Sequence, residues 1–320
     1  MAEPPVILLT NAIHPDGLAL LTPFARVVLA PDTCPDTLRR LAADADGIIV
    51  RALLPDDICD HAPRLRALVR HGVGLDFVPV AAATAHGVPV TSMPGANANA
   101  VAEYAIAALL HLRRGLAGSD ALLRSQGWNV ARPAGSGLAE IAGSTLGIVG
   151  LGAIGRRVAD IARLGFGMRV LGTARRPAST PDGVEQVDLD ALFARSDAIV
   201  LACPLTPETR HLVDRARLAR MRPGAVLVNV ARGGVVDTPA LAEALAAGTL
   251  AGAALDVHDA EPLPPDSPLF ALPNLLLTPH IAGLSANSTR ALGIGSAEEM
   301  RRILHGERPR HLVNPEVWPA

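Results

Sequence analysis

The chain has 320 residues and a formal net charge of -2, and all 29 of its Lys+Arg positions are arginine. Such a balance argues against an electrostatic nucleic-acid binder, and the absence of lysine excludes Schiff-base chemistry on a lysine amine. Hydrophobic residues make up 49% and aromatics only 2%, enough for about two domains whose cores are Ala, Val, Leu and Ile.

The opening stretch Met1–Thr10 has no basic region followed by a long apolar run, so no signal peptide is expected. Short apolar runs then alternate with amphipathic Ala/Leu/Arg stretches, the pattern of strand–helix–strand units around a parallel sheet. Strands are predicted at Val6–Leu9, Gly47–Val50, Ala67–Val69 and Val88–Thr91, with helices around Pro35–Ala43 and Val78–His86. Ser92-Met93-Pro94-Gly95-Ala96-Asn97 reads as a hinge.

A long helix is predicted at Ala100–Leu116, followed by a looser stretch. Six strand-like runs come next: Leu146–Val149, Arg169–Gly172, Ala198–Ala202, Ala225–Asn229, Ala251–Leu255 and Leu275–Thr278. Six parallel strands with intervening helices make a complete dinucleotide-binding sheet. A last helix at Ala286–His305 leads into a short tail that is expected to pack back on the first domain. The expected fold is α/β, with two Rossmann-like domains of doubly wound parallel sheet. The first is discontinuous and flavodoxin-like, 1–98 plus 286–320; the second spans 99–285.

No apolar run approaches the roughly 18 residues of a membrane span. Cys34, Cys59 and Cys203 are odd in number and lie far apart, without disulfide or metal spacing, which points to a reducing cytoplasm. No membrane, nucleic-acid or metal partner is expected.

Gly150-Leu151-Gly152-Ala153-Ile154-Gly155 directly follows an apolar run and opens an amphipathic one. Gly150 permits a tight turn, Gly152 lets backbone approach a diphosphate, and Gly155 lets the helix lie close to its strand. Ala153 and Ile154 form the helix N-terminus, whose dipole favours the anion. The next strand ends in Thr173-Ala174-Arg175-Arg176. A carboxylate that would grip a ribose 2′-hydroxyl is missing there, while two guanidinium groups could pair with a 2′-phosphate. NADP(H) is therefore the expected cofactor, with NAD(H) as the alternative.

Three further segments follow predicted strand ends: Asn229-Val230-Ala231-Arg232-Gly233-Gly234, Asp256-Val257-His258-Asp259-Ala260-Glu261, and Pro279-His280-Ile281-Ala282-Gly283. In a doubly wound sheet these ends share the ligand-binding edge. Reducing a 2-keto acid requires a cation to grip the carboxylate, an acid to deliver a proton, and a hydride donor. Arg232 suits the first task and His280 the second, with Glu261 orienting the imidazole and favouring its charged form. Each has an ordinary alternative as a surface ion-pair partner, a solvated loop residue or a strand cap. Their joint appearance after a dinucleotide loop favours Arg232, Glu261 and His280 as a catalytic set.

These motifs, with Arg70-His71-Gly72-Val73-Gly74-Leu75-Asp76, Pro94-Gly95-Ala96-Asn97, Cys203-Pro204-Leu205-Thr206 and Val313-Asn314-Pro315-Glu316, resemble the D-isomer-specific 2-hydroxyacid dehydrogenases over nearly the whole chain. The pattern is most similar to NADP-preferring glyoxylate/hydroxypyruvate reductases. The resemblance implies that the discontinuous domain binds substrate, with the backbone at Val73-Gly74 taking its carboxylate. It implies that Asp256 holds the nicotinamide carboxamide, with Val230, Ala231 and Gly283 in the cofactor set. It implies, too, that Cys203 lines the adenine or ribose side. The resemblance also implies a homodimer through the helix after the hinge. One departure is Phe77, where the family commonly has Asn.

Arg51 and Arg70 match positions that bind phosphate in phosphoglycerate dehydrogenases, and Arg132, near Trp128, could add a charge across a dimer. Structural pairing of the first two arginines is the competing reading. Glyoxylate or hydroxypyruvate is therefore the expected substrate, with 3-phosphoglycerate or another anion-tailed acid as the alternative. No appended regulatory domain is read, so feedback through one is not expected. A dinucleotide-sensing corepressor of the same fold is the rival outside catalysis. Neither metalloprotease spacing nor a GxSxG elbow is present.

Overall fold

The computed structural model describes residues 3–174 and 180–319. They divide into two units, Met1–Asn97 with Leu284–Ala320, and Ala98–Gly283.

The first unit begins β1 (Val6–Leu9), α1 (Pro15–Leu21), β2 (Arg26–Leu29), α2 (Pro35–Ala42), β3 (Gly47–Val50), β4 (Ala67–Arg70), α3 (Val80–Ala85) and β5 (Val90–Thr91). Its five strands run parallel in the order β2-β1-β3-β4-β5. Every residue of β1 and β3 is buried, as expected when helices cover both sheet faces. The edge strand β2 escapes the sequence reading because it is four residues long with both ends exposed. Helix α3 starts at Val80 rather than Val78, because Val78 precedes Pro79 and that proline disfavours helical geometry at the residue before it.

The second unit contains α4 (Ala98–Arg114), α5 (Leu116–Gln126), α6 (Trp128–Ala134), β6 (Thr145–Val149), α7 (Ala153–Asp160), β7 (Arg169–Thr173), β8 (Val184–Gln186), α8 (Leu189–Arg195), β9 (Ala198–Leu201), α9 (Arg215–Arg220), β10 (Val226–Asn229), α10 (Thr238–Ala246), β11 (Gly252–Leu255) and β12 (Leu275–Leu277). The looser stretch of the sequence is thus helical. It is divided from α4 at Gly115 and into α5 and α6 at Gly127, both at positive φ.

The strands are parallel in the order β12-β11-β10-β9-β6-β7-β8. The dinucleotide-binding arrangement is present, but with seven strands among the described residues instead of six. The extra one, β8, is Val-Glu-Gln with two exposed residues, too short and polar to register as an apolar run. One core lies between the sheet and α4 with α7, and a second covers the opposite face with Leu192, Phe193, Leu218, Leu241 and Leu245.

The chain ends in the first unit with α11 (Ala286–Leu304), opened by a Ser285/Ser288 capping box. Beyond it, Val313 N–H donates to Val90 O, and buried Asn314 ties Val90 N–H to Val88 O and Thr84. One asparagine thus anchors the tail to the β5 edge.

Candidate active site

The glycine loop lies where strand order reverses, between β6 and β9. Gly150 has φ +99°, and a Cβ there would stand 2.8 Å from Ala202 O and Cys203 N. A Cβ on Gly155 would lie 2.0 Å from Gly150 O, so helix and loop touch with no room for a methyl. Gly152 differs: a Cβ there would meet no protein atom within 4 Å. Exposed Gly152 caps α7 without a side-chain hydrogen bond, and Ala153 next to it is also exposed. Two glycines therefore satisfy the fold, while the third leaves backbone N–H groups open, a cradle that fits a diphosphate.

Around this loop, Cys203 is buried beside Gly150, and burial pushes its thiol up to about 11, which makes it a packing group rather than a nucleophile. Val230 and Ala231 are buried in the two cores, so any cofactor contact from them falls to backbone. Thr173 at the end of β7 and Ala174 after it are half-buried, and Arg175 and Arg176 lie outside the described residues.

The ends of β10, β11 and β12 are neighbours on one sheet edge, so their first and third ends are spaced by roughly 10 Å. After β10, fully buried Asn229 shapes the turn: its amide donates to Arg232 O and accepts from Ala231 N–H. Arg232 is half-buried, with Nη1 donating to Ala231 O at 2.7 Å. At Gly233 a Cβ would lie 2.0 Å from the His258 carbonyl carbon, so the Arg232 turn abuts the loop leaving β11.

That loop carries Glu261. Glu261 Oε2 lies 2.8 Å from His280 Nδ1, and its Oε1 accepts His258 N–H at 3.0 Å. Burial alone would raise the Glu261 carboxyl. The His280 ring, the His258 N–H and the charges of both histidines outweigh it and hold the group below its usual value. An ionised Glu261 fixes His280 as the tautomer with hydrogen on Nδ1, which leaves Nε2 to exchange a proton with a ligand. His258 Nε2 donates to Thr278 O at 3.0 Å. Beside the pair is a cavity of about 620 Å³ with Leu263 and Phe270 in its wall.

His280 has φ +56°, an uncommon geometry for a residue with a side chain and one that costs about 1–2 kcal/mol. Asp256 holds it there. The Asp256 carbonyl accepts His280 N–H, while its carboxylate accepts Ile281 N–H and Ala282 N–H, each at 2.8 Å. A carboxylate 1% exposed with those partners is first of all the clamp of the loop leading to Gly283. Thr278 and Tyr104 complete the clamp. The sequence offers no sign of Tyr104, which lies 174 positions before its partner Thr278.

In the first unit, Arg70 is occupied: Nε donates to Gly74 O, Nη1 donates to Val50 O, and the guanidinium stacks over Phe77 at 4.5 Å. The departure at Phe77 is thus a stacking surface for Arg70. Arg51 donates to Ala12 O. Both arginines brace loops, and Arg70 holds the turn at exposed Val73 and half-buried Gly74. Buried His71 lies beside them, and burial together with the Arg51 and Arg70 charges lowers it to about 4.

Among the described residues no group of three or more His, Cys, Asp or Glu could hold a metal ion, and no helix is long and apolar enough to cross a membrane.

The family model for the NAD binding domain of D-isomer specific 2-hydroxyacid dehydrogenases matches residues 106–282. A glyoxylate reductase of Korarchaeum cryptofilum is 37% identical over 324 residues, covering 98% of this chain and 97% of that protein. A D-3-phosphoglycerate dehydrogenase of Methanocaldococcus jannaschii is 37% identical over 314 residues, 96% of this chain, but the chain spans only 59% of that relative's length. The solved NADPH-dependent glyoxylate/hydroxypyruvate reductase of Sinorhizobium meliloti, in complex with NADP and malonate, superposes with a TM-score of 0.88 at 31% identity, covering 99% of both chains.

Proposed function

Because the chain belongs to the D-isomer-specific 2-hydroxyacid dehydrogenase family, an oxidoreductase family acting on CH–OH groups, we propose that it reduces glyoxylate or hydroxypyruvate with NADPH. The observation that carries the reading is the His280–Glu261 pair, 2.8 Å apart, at the sheet edge that also holds the glycine cradle and Arg232.

The exposed N–H groups at Gly152 and Ala153 take the diphosphate of the dinucleotide, and Arg175 and Arg176 take the 2′-phosphate. A bound nicotinamide supplies the hydride. Arg232 grips the substrate carboxylate and polarises the neighbouring carbonyl. His280 gives the carbonyl oxygen its Nε2 proton, so hydride and proton together convert C=O to CH–OH. Glu261 holds the ring and stabilises its charged form. In the first unit, the backbone at Val73–Gly74 is the proposed carboxylate contact.

A small substrate is favoured over 3-phosphoglycerate because Arg51 and Arg70 already serve backbone carbonyls. The test is a panel of 2-oxo acids with both reduced cofactors. The expected best substrate is glyoxylate or hydroxypyruvate, with kcat/KM for NADPH above that for NADH. A ratio below one removes the cofactor assignment, and faster turnover of a phosphorylated acid removes the substrate assignment.

We propose a homodimer formed through α4 to α6. Neither α5 nor α6 buries a residue, and Leu116, Leu123, Trp128 and Val130 are exposed along them. Such a patch marks an association surface. Trp128→Asp is expected to convert the dimer to a monomer in sedimentation; an unchanged mass contradicts the interface. The three cysteines are free, which supports a reducing compartment, the cytoplasm.

A further inference from the structure

The chain's single tyrosine is not among the groups assigned a contact with substrate or cofactor, yet it touches the machinery that holds one of them. Tyr104, on α4, places its hydroxyl 2.6 Å from Thr278 Oγ1. Thr278 Oγ1 is 2.6 Å from Asp256 Oδ1, and both Asp256 oxygens accept backbone N–H groups.

The direction of this chain follows by elimination. An ionised carboxylate only accepts, so the one Thr278 hydroxyl hydrogen goes to Asp256. Thr278 Oγ1 must then receive its hydrogen from Tyr104. The relay runs from Tyr104 through Thr278 to Asp256 and ends on the backbone of 280–282, where Asp256 grips three consecutive N–H groups.

From this we infer that Tyr104 is a positioning residue: through Thr278 and Asp256 it keeps the left-handed His280 aimed at the reacting carbonyl. Without its donor, Thr278 Oγ1 loses the hydrogen bond that fixes its rotamer, and the charge-assisted bond to Asp256 loses direction. His280 then spends less of its time in a productive orientation. Burial and the Asp256 charge raise the Tyr104 hydroxyl above its usual 10, while the Thr278 bond offsets part of the rise.

The inference rests on His280 being the proton donor. The experiment compares Tyr104→Phe, Thr278→Ser, Thr278→Ala and the Tyr104→Phe/Thr278→Ala double variant. Tyr104→Phe is expected to lower kcat about tenfold, or about 1.4 kcal/mol in barrier height, with KM for the 2-oxo acid and cofactor affinity within about twofold. Thr278→Ser should stay near the unmutated rate and Thr278→Ala should match Tyr104→Phe. The double variant should be no slower than Thr278→Ala, since the two residues form one path.

A kcat in Tyr104→Phe within about twofold of the unmutated chain overturns the inference, as do losses that multiply in the double variant. The two readings fail differently. Absence of 2-oxo acid reduction in the unmutated chain removes the function. A normal Tyr104→Phe beside a His280→Gln protein that has lost its rate removes only the relay.

Discussion

His280→Gln is expected to lower kcat for 2-oxo acid reduction by about 10²–10⁴-fold, with a smaller change in KM. That range is what a positioned general acid supplies. Glutamine retains bulk and hydrogen bonding but cannot deliver a proton to the developing alkoxide. Glu261→Gln keeps a hydrogen-bonding group near His280 Nδ1 and removes the charge, so its loss is expected to be smaller but still above tenfold. The two should not multiply, because the carboxylate acts through the imidazole. Glu261 is held below its usual value, so it stays ionised across the neutral range. The rate of reduction should therefore fall through loss of the Glu261 charge only at acid pH, below the usual carboxylate range. Steady-state kinetics over pH check this. Undiminished turnover in His280→Gln contradicts the assignment.

The second large effect separates the roles of two glycines. Gly155→Ala places a methyl 2.0 Å from Gly150 O, so α7 must move off the loop. Overpacking of this kind costs about 1–3 kcal/mol, and displacement of the α7 N-terminus is expected to weaken dinucleotide binding by more than tenfold. Gly152→Ala meets no protein atom within 4 Å, so the fold should keep its Tm. Its methyl nevertheless occupies space that a diphosphate must enter, so cofactor affinity should fall without loss of stability. Thermal denaturation and cofactor titration of the pair separate the cases. Full-affinity binding by Gly152→Ala contradicts the cradle.

The contrast between these glycines shows what spacing conveys. The motif 150–155 with its flanking apolar runs was enough to predict the turn between strand and helix. The apolar runs before Arg232, Asp256 and His280 also marked strand ends, and the structure folds those runs as the neighbours β10, β11 and β12. Parallel strands buried on both faces are continuous apolar runs, which is why they were legible. β2 and β8 lie at sheet edges, where short or polar segments suffice, and they were not.

Within the site, side-chain chemistry was legible but its support was not. The Asp256 clamp depends on the left-handed geometry of His280, and the Tyr104 relay joins a helix to a strand end across 174 positions. No periodicity encodes such a contact. Likewise, the sequence leaves Arg70 between anion ligand and structural pairing, and its bonds to Gly74 O and Val50 O and its stacking on Phe77 lie beyond what spacing conveys.

The most direct test is to trace the hydrogen. Incubating the protein with NADPH deuterated at the nicotinamide C4 and with glyoxylate or hydroxypyruvate, then examining the product by mass spectrometry, follows the proposed transfer itself. The account predicts deuterium on the carbon that was the carbonyl, one atom for each cofactor oxidised and for one face of the nicotinamide only, with about 10²–10⁴-fold less labelled product from His280→Gln over the same interval. Cofactor oxidation without deuterium on that carbon, or equal labelling by the His280 variant, would contradict it.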